Sequence, residues 1–305
     1  MEFTAKDVQA LREKTGCGMM DCKKALTEAN GDAQKAAELL REKGLAAAEK
    51  KSSRIASEGV VLAEVNGNVG VIVEVNAETD FVAKNDKFVS FVKNVANVVR
   101  EKAPADVAAL LETKINAEYT VNEELRNNIL TIGENMSIRR FVRVEGNLVS
   151  YVHGGGRIGV LVRFDGDAAM TKNPAFEEMG KDVAMQIAAL NPSYLDEASV
   201  PADVLQKEKE ILMAQIKNDP KMASKPEQII AKMVDGRVGK FYENNCLLNQ
   251  TFVKDNAMTV AQYVESKGKE MGVSTSVAEF IRFERGEGMA KKEENFADEI
   301  ASLVK

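Results

Sequence analysis

The chain has 305 residues, a net charge of −6, 45% hydrophobic and 29% charged residues, three cysteines and one histidine. That length and apolar content suit about two domains with their own cores, and no apolar run approaches the ~18 to 20 residues of a membrane span. The acidic balance argues against a general nucleic-acid binder, so few cysteines argue against a disulfide framework, and the start, MEFTAKDV, lacks a signal-peptide core, which together lead us to expect a cytoplasmic protein.

Thr4 and Asp7 have capping-box spacing, and Val8 and Leu11 give a first helix its apolar face until Thr15 and Gly16 end it. A loop is expected from Gly16 through Met19 and Met20, with Asp21 capping a second helix that carries Ala25 and Leu26. Asn30, Gly31 and Asp32 then punctuate before a third helix with Ala36, Ala37, Leu39 and Leu40, closed by Gly44. Lys43 to Arg54 is basic and rich in Ala and Ser, the composition of a linker, helical or extended.

Val60 to Val65 and Val69 to Val75 are β-branched runs separated by Asn66 and Gly67, a strong hairpin signal. Further on, Phe88, Phe91, Val92, Val95 and Val99 recur at helical spacing, with Asn85 or Asp86 placed to cap. Between them lies the connector Thr79, Asp80, Phe81, Val82, Ala83, Lys84. Phe81 on such a connector is either a staple packed on its own helix or an aromatic offered to a partner, since loops held by rigid elements often carry binding residues. The pattern alone does not choose.

Val107 to Leu111 and Val121 to Leu130 read as helices and Ile138 to Val144 as a strand. A second hairpin follows, Val152 to Val162 across His153, Gly154, Gly155 and Gly156, then an acidic turn at Asp165 to Asp167 and a helix with Phe176, Met179, Val183 and Ile187. A hairpin followed by a helix thus occurs twice, and each copy can bury one sheet face under its helix, which predicts two similar α+β halves. After Pro192, Val204, Leu205, Ile211, Leu212 and Ile216 form one helical segment and Ile229, Ile230, Met233, Val234 and Val238 another. Asp219 and Pro220 separate them into an antiparallel helical hairpin. Leu247 to Val253 is extended, Thr259 caps a helix through Val264, and Val277 to Glu284 alternates as a strand. From Glu293, Phe296, Ile300 and Val304 sit at the spacing of a narrow amphipathic helix.

No catalytic constellation emerges. His153 to Gly156 resembles an esterase oxyanion run, but the chain has no G-x-S-x-G nucleophile elbow, and the glycines lie between strands, where they make a flexible tip and no phosphate cradle. His153 there reads as a solvated turn residue. Cys17, Cys22 and Cys246 have neither redox nor zinc spacing and read as small buried apolar residues. Met19 and Met20 suit either the small bundle's core or a partner groove.

The string TDFVAKND, following a hairpin and an EVN, resembles the signature of the bacterial elongation factor Ts family. TGCGMMDCKKAL with its NGD resembles that family's opening ubiquitin-associated module, YVHGGGRIGVLV its second hairpin, and AKMVDGRVGKF and FIRFERGEG its helical hairpin and late strand. The resemblance implies an α+β fold with a three-helix ubiquitin-associated-like module and linker over 1–54, a first core half over 55–140, a second over 141–280 carrying the helical hairpin at about 200–240, and a C-terminal helical tail over 281–305. It implies a non-enzymatic guanine nucleotide exchange factor, without cofactor, that binds elongation factor Tu in its GDP-bound and nucleotide-free states, with no direct nucleic-acid or membrane partner; a homodimer is left open. Matched motif by motif, Thr79, Asp80, Phe81 and Val82 would disturb the partner's magnesium and phosphate site, and Arg12, Met19, Met20, His153, Met233 and Val234 would make the other contacts. A passive ubiquitin-associated adaptor would account only for the opening helices.

Overall fold

The structure, a computed structural model, describes residues 3–219 and 225–290. The chain opens with three helices, α1 (Ala5–Thr15), α2 (Met19–Glu28) and α3 (Ala33–Lys51). Val8, Leu11, Cys22, Ala25, Leu26, Ala36 and Leu40 form their common core. The Thr4–Asp7 capping box forms, and Gly16 ends α1 at φ 69°, a left-handed conformation that favours glycine.

Two expectations shift here. α2 starts at Met19 with Gly18 as its cap, so Asp21 sits in the first turn, where a carboxylate favours the positive helix end. α3 continues through Gly44 to Lys51 because Leu45 to Lys51 are strong helix formers that find a docking surface. Ala48 packs on the first sheet's helical core, Leu130 packs back on the three-helix core, and the Lys51 ammonium donates to the Ile129 carbonyl at 3.3 Å. The stretch read as a linker is therefore mostly helix, held along its length.

β1 (Glu58–Asn66) and β2 (Val69–Ala77) form the first hairpin; α4 (Asp80–Ala83), α5 (Asp86–Lys102), α6 (Val107–Glu112) and α7 (Val121–Ile132) follow, and β3 (Met136–Glu145) returns to pair with β2. Asn66 pairs with Val69, so the corner residues are Gly67 and Asn68, one position later than the Asn-Gly signal implied. Gly67 takes φ 62°, and the first corner position of a type II′ turn needs such a residue.

The second sheet has β4 (Asn147–His153), β5 (Ile158–Asp165) and, after a long excursion, β8 (Ser276–Glu284), so it runs through the boundary expected at 280. The excursion holds α8 (Pro174–Leu190), α9 (Ala202–Asn218), α10 (Glu227–Asn245), the short pair β6 (Thr251–Phe252) and β7 (Asp255–Thr259), and α11 (Val260–Met271). α9 ends with Asp219 as its cap, whereas Pro220 lies outside the described residues, as does the helical tail expected at Phe296, Ile300 and Val304. The α9–α10 pair has its own small core of Leu212, Ile216, Ile230, Val234 and Val238. At its root, buried Gln186 donates to Gln250 at 3.2 Å and to the Thr251 carbonyl at 3.0 Å, and Gln250 donates to the Asn244 carbonyl at 3.0 Å.

The result is mixed α+β, with its helices packed around small antiparallel sheets. β2 sends Val71, Val73 and Val75 toward α5 and α7, and β5 sends Val160, Val162 and Phe164 toward α8 and α11. The opposite sheet faces meet over Val61, Ala63, Ile72 and Phe283. Their contact is reciprocal. A Cβ on Gly70 of β2 would lie 2.7 Å from Leu161 of β5, and one on Gly159 of β5 would lie 2.5 Å from Val61 and 3.3 Å from Ile72 of the first sheet. Each middle strand thus uses a glycine where the other strand's bulky residue arrives, which lets the sheets pack closely.

Candidate partner-binding site

The Thr79–Val82 connector is a single helical turn bolted to the fold from below. Thr79 caps it: its hydroxyl accepts from the Val82 amide at 3.4 Å and donates to Glu134 at 2.7 Å, while its own amide donates to the other Glu134 oxygen at 3.0 Å. Next to it, Glu78 accepts from the Asn135 amide at 2.6 Å and from Arg54 at 3.4 Å. Val82 and Ala83 are buried in the first half's core. With its two flanks secured, the turn leaves Phe81 no place inside, and its side chain is 81% exposed. The staple reading is excluded by that exposure, since the α5 stripe of Phe88, Phe91, Val92, Val95 and Val99 fills the core without it.

Asp80, beside Phe81, is half-buried. The Lys84 ammonium, donating to it at 2.8 Å, holds its carboxyl below the usual carboxylate range, and the field of Arg285 adds to this. Ser57, Glu58, Arg157, Glu284 and Arg285 line one open hollow with Asp80 and Phe81, so both core halves meet beside the exposed ring. Sequence reasoning did not find Glu134, Arg157 or Arg285. Glu134 had a faint signal, because it follows Gly133, the left-handed cap that ends α7 immediately before β3.

The other candidates fall into separate places. Arg12 and Met19 border a second shallow hollow with Lys87 of α5, whose ammonium donates to the Gly16 carbonyl at 3.3 Å and so ties the α1–α2 loop to the first half. Met19 and Met20 are 45% and 61% exposed, so neither serves the three-helix core. His153 is exposed at the second hairpin, with its Nδ1 3.0 Å from the Tyr151 hydroxyl. The glycine tip beyond it is pinned, contrary to the expectation of a flexible one. Gly154, Gly155 and Gly156 all have left-handed φ, of 60°, 64° and 95°, and the Gly156 carbonyl accepts from the Val61 amide at 2.8 Å on the outer edge of β1.

Val82 and Val234 stand apart from the other candidates. Both are buried, Val82 under the turn and Val234 between α9 and α10, while Met233 is half-buried on the same small core. Cys17, Cys22 and Cys246 are buried free thiols, and burial pushes Cys246 up to about 11. Among the described residues no group of His, Cys, Asp or Glu side chains is placed to hold a metal, and no helix is long and apolar enough to cross a membrane.

Residues 78–287, which include the exposed turn, the second hairpin, the helical hairpin and β8, match the family described as Elongation factor TS. The chain belongs to the elongation factor Ts family. It is 52% identical over 306 residues to elongation factor Ts of Clostridium perfringens, with 99% of each chain covered. It is 50% identical over 309 residues to that of Clostridium kluyveri, with 99% of each chain covered, and 48% identical over 312 residues to that of Trichlorobacter lovleyi, covering 100% of this chain and 99% of the relative. The family match begins at Glu78, so the α1–α3 bundle joins it only through the full-length relatives.

Proposed function

We propose that this member of the elongation factor Ts family is a guanine nucleotide exchange factor: in the bacterial cytoplasm it binds elongation factor Tu carrying GDP, promotes release of GDP and lets GTP rebind. It is not an enzyme, because it makes and breaks no covalent bond in this role. The observation that carries the mechanism is an 81% exposed phenylalanine on a turn whose neighbours are buried and hydrogen-bonded. In this reading Asp80 and Phe81 meet the partner and disturb its magnesium and phosphate site, and Thr79 and Val82 hold them out. Arg12, Met19 and Met20 extend the same contact from the three-helix module. His153, and Met233 and Val234 through the shape of the helical hairpin, serve a second contact from the other half.

The architecture supports that division. The two three-stranded sheets, each with a long helix after its middle strand, and the reciprocal glycine contact between them fit a duplicated core of first and second halves. The separate small core of α9 and α10 fits a helical hairpin inserted in the second half, and the α1–α3 core fits a ubiquitin-associated-like module.

Magnitudes require the halves to cooperate. Accelerating release a thousandfold takes roughly 4 kcal/mol off the barrier, while burying one phenylalanine contributes about 1.5 to 3 kcal/mol. The remainder comes from the other contacts, and only their preference for the partner's open, nucleotide-weak state counts. By reciprocity GDP then weakens the factor's own binding. The direct test follows labelled GDP leaving elongation factor Tu. Acceleration by substoichiometric amounts of this chain is expected, and a release rate independent of its concentration would overturn the function.

A further inference from the structure

One charged group lies where packing alone gives it no reason to be. Glu74 projects from β2 toward the second sheet, on the same strand face as Gly70 and Ile72, and is 0% exposed. A carboxylate there is costly to desolvate, and buried ion pairs are weak contributors to stability compared with apolar residues of similar volume. What Glu74 does have is a full set of donors. It accepts from Arg140 Nε at 2.6 Å, from Arg139 Nη1 at 3.0 and 3.3 Å, from Asn76 Nδ2 at 3.1 Å and from the backbone amide of Gly286 at 2.8 Å. Burial works against its charge, but the Gly286 amide and the Asn76, Arg140 and Arg139 side chains outweigh it and hold the carboxyl below the usual range.

The Gly286 contact points toward the partner-binding turn. Gly286 follows β8 at φ 68°, and a Cβ on it would lie 2.3 Å from the Ser57 carbonyl, so the segment presses backbone to backbone on the start of β1. The same arginines grip the segment further: Arg139 donates to the Glu287 carbonyl at 2.5 Å, and Arg140 to the Glu284 carbonyl at 3.4 Å. Pinned there, Arg285 pairs with Glu58 at 2.7 Å, donates to the Gly59 carbonyl at 3.3 Å and adds its field to Asp80. Ser57, Glu58, Arg285 and Gly286 are the wall of the hollow in which Asp80 and Phe81 stand.

We propose that Glu74 is a positioning residue for nucleotide exchange: it holds the Arg285–Gly286 segment against β1, and that segment fixes the wall beside which Asp80 and Phe81 engage the partner. The inference rests on the exchange reading of Phe81 given above. An apolar residue at this position would satisfy the contact with the opposite sheet, whereas only an acceptor can grip the Gly286 amide and both arginines together. Because Glu74 meets the wall only from behind, at the Gly286 amide, and does not itself line the hollow, its loss changes how the Arg285–Gly286 segment is held and leaves the lining side chains chemically intact.

The test measures labelled GDP release from elongation factor Tu against concentration of the full chain, for Glu74→Gln, Glu74→Asp and Phe81→Ala alone, and for Glu74→Gln and Phe81→Ala combined. Thermal melts confirm that each variant is folded at the assay temperature. Glu74→Gln is expected to lower the maximal release rate about tenfold with half-saturation near the parent's, and Glu74→Asp to recover part of it. In the Phe81→Ala background, Glu74→Gln should add less than about twofold, because both changes act on one element. If Glu74→Gln does not fold, Arg139→Met, which removes a donor to Glu74 and to the Glu287 carbonyl at a residue that does not line the hollow, carries the same prediction. Parental release by the folded Glu74 variant, or the same loss with and without Phe81, overturns the positioning role while leaving the exchange reading in place. Parental release by Phe81→Ala instead overturns the exchange reading of the tip and this proposal with it.

Discussion

β2 and β5 occupy the same place in their sheets, each the middle of three antiparallel strands, and each leads through a short turn to a long helix, α5 or α8. Both helices even end on a non-glycine residue at positive φ, Ala103 at 47° and Asn191 at 46°. The turns differ in one respect. After β2 the large apolar residue, Phe81, is 81% exposed; after β5 the corresponding segment, Ala168–Lys172, tucks Met170 into the core at 2% exposure. The topology therefore does not force an exposed aromatic at this point. Keeping Phe81 in water forgoes roughly 1.5–3 kcal/mol that burial would supply, and Thr79, Glu134 and buried Val82 hold the turn in that orientation.

The largest effect that would sharpen this contrast is on the buried side. Met170→Ala is expected to cost about 2–5 kcal/mol of stability without changing exchange per folded molecule, as read by denaturant melts and GDP release; a stable variant would mean that the two turns are not opposites. Next come the glycines that let the halves interlock. Gly159→Ala or Gly70→Ala places a methyl within 2.7 Å of the other sheet's side chains, and each is expected to cost about 1–3 kcal/mol through overpacking. Equal costs would support reciprocal packing, and a loss at one site alone would break it.

A smaller change tests how the exposed turn is held. Thr79→Ala removes the cap and the hydroxyl's bond to Glu134 while the backbone amide keeps its own, so about 1 kcal/mol of stability is expected to go, with a proportionally larger fall in exchange. The smallest effect is electrostatic. Asp80 titrates low because of Lys84, so its contribution is present above its unfolded value near 4 and is lost as pH falls through the lower folded value. Lys84→Met should return the Asp80 titration, followed by carboxyl NMR shifts, toward the ordinary range; an unmoved titration would remove Lys84 from the account.

Local chemistry made much of this fold legible. The Thr4–Asp7 box, the β-branched runs of the first hairpin and the α5 stripe each carry a short-range signal, and all of them form. The motif around Asp80 and Phe81 was legible as a connector, yet its exposure was not, because a staple and a presented aromatic share one pattern. Gly44 misled because a helix interior tolerates glycine when its flanks pack, as α3 does along α7. The face-to-face sheets were hidden for a different reason. Val71, Ile72 and Val73 read as one apolar run, and only the tertiary contacts divide them between the helices and the other sheet. Nothing local marks Glu74, Arg157 or Arg285 either, since their partners are distant in sequence.

The central claim is that Phe81 acts on the partner and not on its own fold. Phe81→Ala, compared with the parent in GDP release from elongation factor Tu and in denaturant melts of the same preparations, tests it most directly. The account predicts a loss of about tenfold or more in stimulated release with a stability change within about 0.5 kcal/mol, as for other exposed positions. A stability loss of about 3–5 kcal/mol, the cost of truncating a buried aromatic, with release per folded molecule at the parental rate, would contradict it.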